Sequence, residues 1–314
     1  MSSQKISIVI PSFNEEDNIA VVAEKVIEQL KGFEYELIFV DDGSKDKTLG
    51  HLKILNASNP NIHFLSFSRN FGHMAALKAG LDAATGDCVI SMDADLQHPP
   101  RLLPEMIAHW QEGYEVVYTV REESKDNSWF KNKTANMFYS LLNKLSDIEL
   151  EQGAADFRLL DRKVVEVIKK SGEINLFLRG YIAWVGFKKF KIAYQPDKRF
   201  SGVTKYTFKK MFRFALNGIT SFSIKPLHFS TIIGVIISGF AFLYALYALW
   251  VYFFTEQAIT GWASVLISVL FIGGIQLLML GIIGEYLGTI VVQTKGRPDY
   301  IVSESSLSRV ASIE

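Results

Sequence analysis

Two apolar stretches in the last third of the chain limit what it can fold into. Phe229 to Phe254 holds no charged residue, and Trp262 to about Thr289 holds one, Glu285. At ~1.5 Å of rise per residue, either stretch is longer than the ~30 Å hydrocarbon layer of a bilayer and spans it with tilt. Thr255 to Gly261 joins them with one acid and no base, whereas Lys225 precedes the first stretch and Lys295 and Arg297 follow the second. The positive-inside rule then predicts a multi-pass protein of the inner (plasma) membrane, with both termini in the cytoplasm. Ahead of the first stretch, Phe208, Met211, Phe212, Ala215, Leu216, Ile219 and Phe222 recur at helical spacing, with Lys209, Lys210, Arg213 and Asn217 off that face. This pattern predicts an amphipathic helix lying in the membrane interface; a soluble packing helix is the competing reading. In the second stretch, Gln276 suits an interhelical hydrogen bond. Glu285 reads either as a functional acid or as a helix or oligomer contact.

The N-terminal two thirds is of a different kind. MSSQKISIVIPSFNEE turns polar and acidic too early for a signal peptide. Short apolar runs at Ile6–Ile10, Glu36–Val40, His63–Phe67, Cys88–Met92 and Val116–Val120 read as strands. Between them come helical patterns at about Ile19–Leu30, Thr48–Ala57, His73–Ala84 and Leu102–Gln111. Strands alternating with helices predict an α/β fold with a mostly parallel sheet covered on both faces. The single cysteine, Cys88, lies in an apolar run, so there is no intrachain disulfide and thiolate zinc is not expected. A formal net charge of zero gives no footprint for a nucleic-acid partner.

Ligands of such sheets bind beyond the carboxyl ends of the strands. Polar clusters follow four of the strands: Pro11-Ser12-Phe13-Asn14-Glu15, Asp41-Asp42-Gly43-Ser44, Ser68-Arg69-Asn70-Phe71-Gly72 and Asp93-Ala94-Asp95-Leu96-Gln97. All four should share one crevice. Extended alternation would put Asp93, Asp95 and Gln97 on one side of the chain. Three hard oxygen donors suit Mg²⁺ or Mn²⁺, with a substrate pyrophosphate completing the shell; the plainer reading is a solvated acidic turn. The first loop has no glycine, so it does not cradle phosphate in the dinucleotide-binding manner. Glu15, Asp41 and Asp42 can accept hydrogen bonds from a base or ribose, while Asp42-Gly43-Ser44 also reads as a helix-capping turn.

PSFNEEDN, VDDGSKDKT, SRNFG and SMDADLQHPP, in this order and spacing, resemble the family 2 glycosyltransferases of GT-A fold. With the two apolar stretches added, nearly the whole chain resembles the polyprenyl-phosphate glycosyltransferases related to dolichol-phosphate mannose synthase, in the bacterial branch with two transmembrane helices. The resemblance implies a cytosolic GT-A domain over residues 1–204, a juxtamembrane helix over 205–228, membrane helices at about 229–254 and 262–289, and a cytosolic tail over 290–314. That tail is expected to run along the cytosolic domain or a neighbouring subunit. It implies a nucleotide-sugar donor (UDP-glucose or UDP-N-acetylglucosamine) held by Pro11, Phe13, Asn14, Glu15, Asp41, Asp42, Arg69, Asp93 and Asp95. The acceptor would be undecaprenyl or another polyprenyl phosphate, and the assembly a homo-oligomer, a tetramer by resemblance. DFRLLDR resembles the acceptor-side motif whose first Asp, here Asp156, is the catalytic base. A phosphate acceptor is already ionised near neutral pH, so Asp156 either removes a proton or positions the acceptor. RFSGVTKY resembles a loop in which Arg199 and Lys205 neutralise the donor pyrophosphate, with Thr204 in place of the usual Ser. Arg121, Lys131 and Lys133 are the cations available to the acceptor phosphate. Two other readings remain: a processive polysaccharide synthase, and a non-catalytic flippase or scaffold.

Overall fold

The computed structural model describes residues 4–122, 151–173, 177–195, 223–254 and 261–310. The opening alternation is as predicted: β1 (Lys5–Ser12), α1 (Ile19–Gln29), β2 (Glu34–Asp41), α2 (Thr48–Ser58), β3 (Ile62–Phe67), α3 (His73–Ala83) and β4 (Cys88–Ser91). A 3-10 turn (Pro100–Leu102) leads into α4 (Leu103–Gln111), and β5 (Val116–Arg121) follows. Then come β6 (Ala154–Asp161), α5 (Arg162–Lys169), α6 (Leu178–Trp184), β7 (Lys189–Tyr194), α7 (Lys225–Phe254), α8 (Trp262–Thr294) and β8 (Val302–Ser305). The first compact unit takes the described residues up to 195 together with 297–310; the second takes 223–254 and 261–296. The amphipathic segment at 208–222 lies outside the described residues.

Eight strands form one sheet in the order β7-β5-β6-β4-β1-β2-β3-β8. β4, β1, β2 and β3 are parallel. Both faces of these strands are covered, which is why they read as continuous apolar runs: Ile6, Ile8, Val9, Ile10, Leu37, Ile38, Phe39 and Val40 have no exposed surface. The apolar stripe of α1 lands where its spacing predicts, with Ile19, Val22, Ala23, Val26 and Leu30 buried. α3 packs on β1 with no room for a side chain at Gly80: a Cβ there would stand 2.1 Å from Val9 Cγ1, so this approach needs glycine.

One strand is unforeseen: β6 inserts antiparallel between β4 and β5. The tail runs along the sheet domain of its own chain, one of the two courses expected for it, and does so as a strand, β8, antiparallel to β3. Tyr300 stacks on Phe67 at 5.2 Å and donates its hydroxyl to Asp82 at 3.0 Å. Arg309 donates to the carbonyl of Ala83 at 2.9 Å and to Glu36 at 3.2 Å. The tail thus covers an edge strand that would otherwise offer unpaired backbone groups.

α7 begins at Lys225 and α8 runs on to Thr294, each a few residues beyond the predicted spans. Lys225–Tyr244 and Ile267–Thr294 are long and apolar enough to cross a membrane. Large side chains along them, such as Phe229, Phe240, Leu277 and Leu280, are exposed, as a lipid-facing helix requires.

Glu36 anchors the lower edge of the sheet. Its buried carboxylate accepts from Ser7 Oγ at 2.6 Å, Lys5 Nζ at 2.9 Å and the Thr85 N–H at 2.7 Å. Burial alone would raise its pKa, but these bonds and the Lys5 charge outweigh it and lower the value from 4.5 to about 2. The stabilisation is therefore present above pH 4.5 and is lost as pH falls toward 2, amounting to about 3 kcal/mol at neutral pH. Glu36→Gln should lower the thermal unfolding midpoint of the full chain at pH 7. The two proteins should converge as the pH is taken below 4.5; equal midpoints at pH 7 would contradict this account.

Candidate active site at the strand carboxyl ends

The loops after β1, β2 and β3 are fastened to one another by backbone and short polar side chains. Asn14, at φ 56°, donates its N–H to Ser44 Oγ at 2.9 Å and accepts the Lys45 N–H on Oδ1 at 2.9 Å. Asparagine tolerates this left-handed conformation better than most residues. The Glu15 N–H donates to Thr48 Oγ1 at 2.9 Å, and the Glu15 carboxylate accepts from Asn18 Nδ2. Gly43, at φ 69°, lies so close to the third loop that a Cβ would be 2.5 Å from the Arg69 carbonyl carbon.

Asp41 and Asp42 are nearly fully buried and bind the protein's own donors. Asp41 accepts from the Ser44 N–H at 3.0 Å and Ser66 Oγ at 2.7 Å. Asp42 accepts from the Phe71 N–H at 2.6 Å and the Gly72 N–H at 3.0 Å. Burial pushes the Asp42 pKa up, against the two N–H groups that favour its charge. Their first role is therefore to fix the loops, and any ligand contact uses the remaining lone pairs. Above them the Arg69 guanidinium lies 4.0 Å over the Phe71 ring, a flat cationic platform. Pro11 is buried near the end of β1 and Phe13 is partly exposed beyond it.

After β4 the backbone turns rather than staying extended, and Leu96 takes φ 61°. Such a conformation is rare for a bulky residue and is held here by its surroundings. The Asp93 N–H donates to His98 Nδ1 at 2.9 Å, the Gln97 N–H donates to Asp95 Oδ1 at 3.1 Å, and Leu96 is buried. His98 stacks on Phe157 at 5.2 Å. The expected alternation survives in burial: Asp93, Asp95 and Gln97 are partly exposed, while Ala94, Leu96 and His98 are buried. Gln97 is also drawn elsewhere. Its Oε1 accepts from Arg121 Nη2 at 3.0 Å, which competes with its predicted use as a metal ligand. Arg121, expected at the acceptor phosphate, thereby sits beside the Asp93 turn.

Among the described residues, no three His, Cys, Asp or Glu side chains are grouped to hold a metal unaided. Asp93 and Asp95 offer hard oxygens on one turn. That donor set fits Mg²⁺ or Mn²⁺ only when a ligand brings the other oxygens.

β6 supplies the opposite wall. Ser91, the last residue of β4, pairs with Arg158 across the β4–β6 ladder and donates its Oγ to the Asp156 carbonyl at 2.6 Å, so Asp156 lies beside the start of the Asp93 turn. Asp156 Oδ1 accepts from Arg179 Nε at 2.8 Å and Oδ2 from Arg179 Nη2 at 2.6 Å; Arg158 Nη2 lies 3.3 Å from Oδ1. Burial works against the Asp156 charge, yet the Arg179 guanidinium holds its carboxyl well below the usual carboxylate range. Burial lowers the Arg158 pKa to about 10 despite Asp156. His73, the first residue of α3, bridges the walls, with Nε2 3.6 Å from Asp93 Oδ1 and 3.7 Å from Asp156 Oδ2. Burial opposes its protonation, but Asp156 and Asp93 outweigh that and raise its pKa.

The loops at the carboxyl ends of β1, β2 and β3 thus carry Asn14, Glu15, Asp41, Asp42 and Arg69, and the turn after β4 with its neighbours on β5 and β6 carries Asp93, Asp95, Gln97, Arg121 and Asp156. Lys131, Lys133, Arg199 and Lys205 lie outside the described residues. The sequence reading missed His73, His98, Arg158 and Arg179. The one available signal was an arginine within the otherwise uncharged FLRGYIAW.

Residues 7–169 match the family described as glycosyl transferase family 2. A protein of Bacillus subtilis (strain 168), named an uncharacterized glycosyltransferase, is 46% identical over 302 residues, covering 95% of this chain and 93% of its own length. The bactoprenol glucosyl transferase of Shigella phage SfII is 43% identical over 303 residues, covering 96% of this chain and 98% of its own. A solved mannosyltransferase from Pyrobaculum calidifontis, in complex with GDP-Man and Mn²⁺, is similar at 18% identity and a TM-score of 0.45, over 70% of this chain and 63% of that one.

The loop fastening gives a direct test. Gly43→Ala adds a Cβ against the Arg69 backbone at a positive φ, a cost of about 2 kcal/mol or more. The unfolding midpoint should fall by several degrees. An unchanged midpoint would mean the loops are not in contact there.

Proposed function

The chain belongs to glycosyl transferase family 2, and on that premise we propose that it transfers one glucose from UDP-glucose to a polyprenyl phosphate at the cytoplasmic membrane face. The observation that carries this reading is a similarity to bactoprenol glucosyl transferases that runs through the crevice and both apolar helices, at 43% identity over 96% of the chain. The helices would hold the enzyme where a lipid-borne acceptor lies, with Lys225, Lys295 and Arg297 on the cytoplasmic side.

The nucleoside would lie over the first three loops, against the Arg69–Phe71 platform and the Asn14 turn. Its diphosphate would point to Asp93 and Asp95. A divalent cation held by these two carboxylates would neutralise the diphosphate as it departs. By resemblance, Arg199 and Lys205 add fixed positive charge there. A phosphate oxygen of the acceptor attacks the anomeric carbon on the face opposite the diphosphate. The new C–O bond forms as the old one breaks, UDP leaves with the electron pair, and the anomeric configuration inverts. With a second pKa of about 6, the acceptor needs no proton removed at neutral pH.

Purified protein, undecaprenyl phosphate and a panel of labelled UDP- and GDP-sugars test the reading. Labelled lipid should form with UDP-glucose, disappear with EDTA and return with Mg²⁺ or Mn²⁺. Asp93→Asn and Asp95→Asn should each lower the rate about 100-fold or more. No labelled lipid with any donor, despite UDP binding, would overturn it.

A further inference from the structure

Asp156 has the wrong surroundings for a proton acceptor and the right ones for a clamp. Both of its oxygens face the Arg179 fork, and Arg158 adds a third guanidinium nitrogen. A general base needs a lone pair turned toward the substrate and a pKa near the working pH. Asp156 instead is a carboxylate kept ionised between two arginines.

The group also carries an unmade bond, since Arg158 Nε is buried without a hydrogen-bond partner. Buried charge and an unmade hydrogen bond each carry a cost, so a buried ionic group of this kind is poor evidence for stability and better evidence for function. Exposure shows which arginine a ligand can reach: the Arg179 side chain is 25% accessible, against 6% for Asp156 and 4% for Arg158. A guanidinium matches a phosphate with two parallel hydrogen bonds. The position suits an acceptor, because His73 Nε2 lies within 3.7 Å of Asp156 and 3.6 Å of Asp93, where the donor diphosphate would sit.

We propose that Arg179 binds the phosphate of the lipid acceptor, and that Asp156 is a positioning residue that aims Arg179 and does not take a proton. This rests on the transferase reading above and names a residue for its acceptor side.

The test uses the full-length protein, farnesyl phosphate as a binding probe in the presence of UDP, and transfer to undecaprenyl phosphate. Arg179→Gln should weaken farnesyl phosphate binding and raise KM for undecaprenyl phosphate about tenfold or more. UDP affinity and donor KM should stay within about twofold, which also shows that the variant folds. Arg179→Lys should recover part of the loss. Asp156→Asn should act mainly through Arg179, adding less than about twofold once Arg179 is Gln. It should also leave the shape of the pH–rate profile unchanged. Two results would overturn the proposal: unaltered farnesyl phosphate binding in Arg179→Gln, or an Asp156→Asn loss in kcat that is equal with and without Arg179 and removes the acid limb of the profile. If the wild type binds farnesyl phosphate through Arg179 but transfers no sugar, the transferase reading fails and the phosphate seat stands.

Discussion

The register between β4 and β6 is the constraint on which the crevice depends. β4 ends in the Asp93 turn. β6 runs the other way beside it, so its first residues stand where β4 gives out. Ser91 Oγ fixes this junction by donating to the Asp156 carbonyl at 2.6 Å. A slip of one residue would turn Asp156 into the layer occupied by Phe157 and would carry Phe157 toward the crevice. Phe157 has no exposed surface and carries the His98 ring that accepts the Asp93 N–H. One ladder therefore sets the acidic turn, the imidazole beneath it and the arginine-clamped carboxylate across from it.

The parallel part of this arrangement was legible because burial on both faces leaves a plain mark. β1, β2, β3 and β4 appear as short apolar runs, and their helices carry a stripe at 3.6-residue spacing, so boundaries fell within a few residues. The carboxyl-end rule then brought the polar clusters together without any contact being known. β6 was not legible in the same way. AADFRLLD alternates Phe157 and Leu159 with Asp156 and Arg158, and charges in a central strand read as a loop. Arg179, the partner that makes Asp156 tolerable there, is 23 residues away. The same limit applied to the Asp93 turn. Its side-to-side alternation could be read, whereas the turn at Leu96 depends on His98 and on Phe157 beneath it.

The buried polar groups divide into those that hold the site and those that face it. Asp41 and Asp42 accept N–H and hydroxyl groups of Ser44, Ser66, Phe71 and Gly72, so much of their hydrogen-bonding capacity goes to loop position. Asp93 and Asp95 lie on a strained turn, partly exposed. Asp95 also accepts the Gln97 N–H of its own turn, which leaves its other lone pairs for a ligand.

The tail extends the same logic to the far edge. β8 follows α8 directly in the chain, and its pairing with β3 continues into the Ser68 N–H, which donates to the Ile301 carbonyl at 3.0 Å. Ser68 begins the loop that carries Arg69 and Phe71. Tyr300 stacks on Phe67, whose ring meets Phe71 edge-on at 5.7 Å. Arg309 then ties the end of the tail to Glu36, itself held by Lys5 and Ser7 of β1. A segment that reads as a polar appendage is thus a structural strand. It braces the loop after β3 through aromatic contacts and the sheet through an ion pair, so chain on both sides of the apolar helices is needed to complete one domain.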